Sequence, residues 1–237
     1  MQTQQIQIAD YTCNLFLPKD YNESGRHYPV IYINGDVPIE EIVNEIRKSG
    51  HEADFILLSI QPESWNDDFT PWGAPAFRKG EDAPAGRADV YISRLTSEIK
   101  PYMDVSYRTK PEPEYTALFG YSLGGLAAAY AMYKTDLFGT IASLSGSLWY
   151  DGFSEFMEKE QPVRKDVKVY LSLGKKESLS RNPRMCKVAE CTERAKDMLA
   201  KQAGAVCFEW NEGGHFHDIP KRFAKAVVWW RSLPFTT

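Results

Sequence analysis

Gly120-Tyr121-Ser122-Leu123-Gly124 sets a serine between two residues that lack side chains, directly after the apolar run 115–120. A serine raised on a tight strand-to-helix turn exposes its hydroxyl. The positions flanking such a turn must be small, because strand and helix backbones meet there. Gly120 and Gly124 satisfy that demand, and Gly125, Ala127, Ala128 and Ala129 allow the following helix to lie close to a sheet. The turn also leaves the Leu123 N–H at a helix N-terminus, where an unspent donor and the positive end of the helix dipole favour a developing oxyanion. The chemistry open to such a serine is attack on a carbonyl carbon through a covalent acyl intermediate, provided a general base lies within reach.

Four histidines are available for that base: His27, His51, His215 and His217. In strand–turn–helix serine sites the acid and then the histidine follow the nucleophile along the chain, which excludes His27 and His51. The stretch from Trp210 to Asp218 contains the other two, after the last apolar run and before the last helical stripe. His215 is preferred because Gly213-Gly214 frees the loop to turn over the strand ends, while His217 lies beside Asp218, a residue type suited to cap the next helix. A metal site built on this His-x-His pair lacks an evident third ligand, and no cofactor is called for. The acid should follow the run 167–174. Glu177 is the nearest carboxylate beyond it, with Asp151 and Asp218 as alternatives.

The elements that must position these groups read as an alternation. Apolar runs at 30–34, 55–60, 115–120, 140–145, 167–174 and 206–210 are hydrophobic at nearly every position, the pattern of strands buried on both faces. Helical stripes lie between them: Ile39, Ile42, Val43 and Ile46, closed by Gly50; Tyr91, Leu95 and Ile99, ending before Pro101; Met185, Val188, Met198 and Leu199; and Ile219, Phe223, Val227 and Trp230. Strand and helix in alternation with short links predict an α/β fold: a mostly parallel sheet covered on both faces, with an antiparallel strand or hairpin at 4–17 on one edge. The 237 residues suit one domain. The exception to short links is 61–87, which has four prolines and the aromatics Trp65, Phe69, Trp72 and Phe77. A long aromatic loop of this kind is expected to be ordered and to wall a substrate pocket above the strand ends.

Net charge of −4 gives no basic surface for nucleic acid. No apolar run approaches the roughly 18 residues of a membrane span, and the polar N-terminus has no signal-peptide pattern. The four cysteines, Cys13, Cys186, Cys191 and Cys207, show no paired spacing and read as free thiols of a cytoplasmic protein.

With YPVIYINGD, WNDDFTPW, GYSLGGLAAAYAMY, LFGTIASLSGSLWYDGF, YLSLGKKESLSRNPRM and EGGHFHDIPKRFAKAVVWW, the chain resembles the esterase D-type α/β hydrolases over nearly its whole length. That group includes enterobactin and other siderophore esterases, feruloyl esterases and acetyl esterases. The resemblance implies an α/β-hydrolase fold without a large cap domain, and hydrolysis of a small-molecule carboxylic ester without naming the ester. It also implies that Gly35 or Asp36 supplies a second oxyanion donor beside Leu123, although many relatives carry Asp-Gly where this chain has Gly35-Asp36. The segment from Ser145 to Trp149 resembles the loop supporting the elbow. Trp65, Phe69, Trp72, Tyr121 and Trp149 are the expected substrate-contacting residues, and Ser122, His215 and Glu177 the catalytic ones. An acyltransferase, in which an alcohol replaces water, or a binding protein retaining the elbow would use the same sequence.

Overall fold

The apolar runs are strands of one sheet. The computed structural model describes residues 2–234. In chain order the strands and helices are β1 (Gln2–Ile8), β2 (Tyr11–Leu17), β3 (Val30–Asn34), α1 (Ile39–Lys48), β4 (Ile56–Ile60), α2 (Trp65–Asp68), α3 (Ala88–Arg94), α4 (Lys100–Ser106), β5 (Thr116–Tyr121), α5 (Leu123–Ala131), β6 (Thr140–Leu144), α6 (Phe153–Lys159), β7 (Lys168–Gly174), α7 (Val188–Gln202), β8 (Ala205–Asn211) and α8 (Ile219–Ser232). The sheet order is β1-β2-β4-β3-β5-β6-β7-β8. The β1–β2 hairpin is antiparallel and joins β4 antiparallel, whereas β4, β3, β5, β6, β7 and β8 run parallel.

Every residue of β3, β4, β5 and β6 is buried, because alternate side chains enter two different cores. Ile31, Ile33, Leu57 and Phe119 pack under α1 and α8 on one face. Val30, Tyr32, Leu58 and Leu118 pack on the other face with residues of α3, α5, α6 and α7. Helix α5 has no exposed residue, which accounts for its run of Gly, Leu and Ala: it crosses the sheet centre too closely for polar chains. Among the described residues no helix is long and apolar enough to cross a membrane. All four cysteines are free.

One helix runs further than its sequence predicts. The expected stop before Pro101 is overridden by a π turn at Leu95–Ile99, closed by the Lys100 N–H on the Leu95 carbonyl. That register change places Pro101 in the first turn of α4, where its missing N–H breaks no helical bond. The connection 61–87 is ordered, and contains α2. The Ala85 N–H donates to Asp67 Oδ1 at 2.7 Å, and Arg87 pairs with Asp68 at 3.1 Å, so the loop's two ends are tied together.

Candidate active site

Ser122 sits between β5 and α5 with φ 57° and ψ −121°. This left-handed conformation costs a non-glycine residue about 1–3 kcal/mol and persists only where its surroundings over-determine it. Here the Ser122 N–H donates to the Leu144 carbonyl at 3.1 Å, and the Ser122 carbonyl accepts from Leu126 at 3.1 Å and Ser147 at 2.9 Å. A Cβ on Gly120 would stand 2.0 Å from the Gly124 carbonyl oxygen, so the elbow admits nothing larger than glycine there.

The loops after β7 and β8 bring the other two groups to the serine. His215 Nε2 is 3.0 Å from Ser122 Oγ, and His215 Nδ1 is 2.7 Å from Glu177 Oε2. Glu177 lies in a short 3₁₀ turn, Glu177–Leu179, and its side chain is 3% exposed. Burial alone would push its carboxyl up. Hydrogen bonds from His215, from Ser145 and from the Gly174 N–H outweigh burial and hold it below its ordinary value. The alternative carboxylates are engaged elsewhere: Asp151 with Arg184 at 2.8 Å and Asp218 with His217 at 3.2 Å. Asp218 does occupy the N-cap position of α8, but its side chain makes no cap bond; it turns to His217 instead.

Sequence reasoning missed Arg222. This residue of α8 is 1% exposed and donates from Nη1 to Glu177 Oε1 at 2.8 Å, to the Tyr121 hydroxyl at 3.0 Å and to Ser145 Oγ. Its Nη2 donates to the carbonyls of Gly214 at 2.7 Å and Glu212 at 3.3 Å. A signal was present: Arg222 falls on the apolar stripe of α8, between Ile219 and Phe223, where a cation is buried only if it is paired. Withdrawing one partner from such a pair costs about 3–5 kcal/mol, because a charge is left uncompensated.

For the oxyanion, Leu123 N–H opens α5 as expected. Of the two loop donors that the resemblance implied, the Gly35 N–H is spent on the Ile60 carbonyl at 2.8 Å, and neither Gly35 nor Asp36 is among the residues lining the cavity at Ser122. The Asp36 carboxylate accepts from Asn14 Nδ2 at 2.9 Å, and the Gly35 carbonyl accepts from Ser59 Oγ at 2.9 Å. Asn34 Nδ2 donates to the Gly124 carbonyl at 3.0 Å, bringing the start of this loop against the first turn of α5.

A cavity of about 280 Å³ opens on Ser122 and His215, walled by Trp149, Met185, Val188 and Phe216, with Arg78 on its lining. Of the aromatics expected to contact substrate, only Trp149 lines it. Phe69 is fully buried between Trp65 and Tyr91. Trp72 packs among Tyr130, Phe153 and Phe156 and donates to the Asp151 carbonyl, so it pins the loop from beneath. Trp65 is 41% exposed but lies over Gly35, outside the cavity lining. Tyr121 faces the opposite way, donating its hydroxyl to the His215 carbonyl. Large aromatic side chains gain more by filling the core than by facing water, and a periodicity-free loop gives no sign of which will do so.

A mostly parallel sheet with a serine on a strained strand-to-helix turn, and a carboxylate and a histidine supplied in that order by later strand ends, defines the α/β-hydrolase fold. The model of the Esterase family ("Putative esterase") matches residues 7–219, and the chain belongs to this family of carboxylic ester hydrolases. It is 25% identical over 225 residues to the uncharacterized protein YbbA of Bacillus subtilis (strain 168), covering 91% of this chain and 90% of that one. Among solved structures it is similar to an IroE-like serine hydrolase from Shewanella oneidensis, with TM-score 0.80 and 18% identity over 95% of this chain and 78% of the other. It is also similar to siderophore hydrolase EstA from Aspergillus nidulans, with TM-score 0.72 and 18% identity over 96% and 93% of the two chains. At these identities the structural likeness is one of fold.

Proposed function

We propose that the chain hydrolyses a small-molecule carboxylic ester through an acyl-enzyme on Ser122, with His215 as general base and Glu177 as the acid that orients it. The observation that carries this reading is the unbroken hydrogen-bonded line from Ser122 Oγ through both nitrogens of His215 to Glu177, ending on a serine in left-handed backbone. His215 takes the Ser122 proton as Oγ attacks the ester carbonyl, and the Leu123 and Asp36 N–H groups receive the oxyanion. His215 then protonates the leaving alcohol, and water activated by the same nitrogen releases the acid. Glu177 stays ionised throughout, because its hydrogen bonds favour the carboxylate.

The cavity walls of Trp149, Met185, Val188 and Phe216 fit an apolar or aromatic acyl group of modest size. The likeness to siderophore hydrolase EstA adds siderophore esters to the compounds worth assaying. A fluorophosphonate probe should leave an adduct on Ser122, located by mass spectrometry. Turnover of short p-nitrophenyl esters should vanish in Ser122→Ala and His215→Ala. A folded wild-type chain with neither adduct nor turnover would overturn the reading, and a transferred ester on adding alcohols, in place of free acid, would mark an acyltransferase.

A further inference from the structure

We propose that Arg222 is a positioning residue for this site, one guanidinium fixing the Glu177 carboxylate and the His215 loop relative to each other. The inference rests on the proposed roles of Ser122, His215 and Glu177.

The two halves of the fork face different elements. Nη1 meets Glu177 Oε1 and the Ser145 hydroxyl, which itself donates to Oε1 at 2.7 Å. The Gly174 N–H reaches the same oxygen at 2.7 Å. Oε1 is therefore saturated, and Oε2 is left to His215. Nη2 binds the backbone of the histidine loop at Gly214 and Glu212. Planar, rigidly spaced donors suit this double duty, and an ammonium group could serve one side but not both. The fold makes room for it: a Cβ on Gly174 would stand 2.7 Å from Arg222 Nη2 and 2.9 Å from Glu177 Oε1. Tyr121 completes the frame by accepting from Nη1 and donating to the His215 carbonyl.

The arrangement also sets the charge beside the base. The other titratable groups near the pair do not substitute for Arg222. Burial pushes the Tyr121 hydroxyl up to about 12, so it stays neutral. The Lys175 ammonium pairs with the exposed Glu212 carboxylate, and His217 faces Asp218. Arg78 lies on the cavity lining with Glu81 3.7 Å away.

The test compares Arg222→Met and Arg222→Lys with the wild-type chain in kcat and in KM for p-nitrophenyl acetate. It also follows the His215 Nδ1 proton by NMR, a readout that needs no turnover. In Arg222→Met, kcat should fall about 10–100-fold with KM nearly unchanged, the range seen when a group supporting a catalytic ligand is lost. Its His215 Nδ1 proton resonance should move, because Glu177 Oε2 is no longer held at a fixed place beside Nδ1. Arg222→Lys should bring the Nδ1 resonance part of the way back and recover part of kcat. A folded Arg222→Met variant with wild-type kcat and an unmoved Nδ1 resonance would reduce Arg222 to a structural residue and overturn the proposal. Should the Met variant not fold, wild-type kcat in Arg222→Lys would overturn it equally, since no fork would then be needed. Should the wild-type chain neither turn over esters nor take the probe, the hydrolase reading fails, and the Nδ1 resonance still decides whether Arg222 positions the His215–Glu177 pair.

Discussion

The site has two sides, each organised by one arginine. On the catalytic side, Arg222 is enclosed, with its side chain 1% exposed, and it touches only oxygens: a carboxylate, two hydroxyls and two carbonyls. On the cavity side, Arg184 is 21% exposed and gathers two segments of unlike character. It pairs with Asp151, donates to the Pro75 carbonyl at 2.8 Å, and lies over the rings of Phe77 and Trp149. The difference follows from what each side must hold. Proton transfer between His215 and its neighbours depends on distances near 3 Å, so a desolvated lattice of several hydrogen bonds is worth its high desolvation cost. A wall that selects an acyl group needs shape rather than charge, and ring faces with partly exposed contacts provide that more cheaply.

If the two sides divide the labour in this way, substitutions on one should act on kcat and on the other on KM. The largest effect belongs to Ser122→Ala, for which kcat should fall by about 10⁴-fold or more, and Glu177→Gln should follow at about 10³–10⁴-fold, both read with p-nitrophenyl acetate. Glu177→Gln also deprives the buried Arg222 of its counter-charge, a loss of about 3–5 kcal/mol and hence a melting temperature lower by roughly 10 °C. That stability should depend on pH with a definite sign. The folded carboxyl is held below its unfolded value, so the ion contributes stability above about pH 4.3 and loses it as pH falls through the folded value. The gap in melting temperature between wild type and Glu177→Gln should therefore be widest near neutrality and close below about pH 4. A gap that instead widens on acidification would mean that Glu177 is folded in as the neutral acid.

Asn14→Ala should act more weakly on the same side, because Asn14 holds the Asp36 carboxylate and not the oxyanion itself. A fall in kcat of about tenfold, below the 10²–10³ of losing a donor outright, is the expected result. An unchanged kcat would show that the loop after β3 keeps its position without β2.

The catalytic side was the more legible in the sequence. Chain order and the glycine pairs single out Ser122 and leave His215 or His217, because backbone demands at an elbow and a free-turning loop restrict residue types sharply. Glu177, by contrast, is only the nearest of three candidate carboxylates, with Asp151 and Asp218 as the others. The six apolar runs gave the parallel strands for a similar reason, since burial on both faces leaves no polar positions. Arg222 escaped because its partners lie on three other elements, and only its place on an apolar stripe hinted at burial. The cavity side was read least well. Phe69 and Trp72 look like pocket walls in the sequence, yet Phe69 is a core residue and Trp72, partly buried, packs against the core, and the actual wall includes Met185 and Val188 from the segment entering α7. Which aromatic turns inward depends on tertiary packing, and no local pattern in 61–87 records it.

The smallest expected effects fall on the cavity side and sharpen the comparison most. In Arg184→Ala the segments bearing Pro75 and Trp149 lose their common partner, so KM for an aromatic ester should rise several-fold while kcat stays at its wild-type value. Phe216→Ala should act more weakly still. Phe216 is 83% exposed, so its loss should change stability by no more than about 0.5 kcal/mol. Its ring nevertheless packs edge-on against His215 with centroids 4.9 Å apart, and it also lines the cavity. If that ring only bounds the acyl group, KM should rise about twofold for bulky esters and remain unchanged for acetate, a difference of about 0.4 kcal/mol in uniform binding. A fall in kcat for acetate would instead place Phe216 among the groups that orient His215, and the boundary between the two sides would then run through residue 216 rather than beside it.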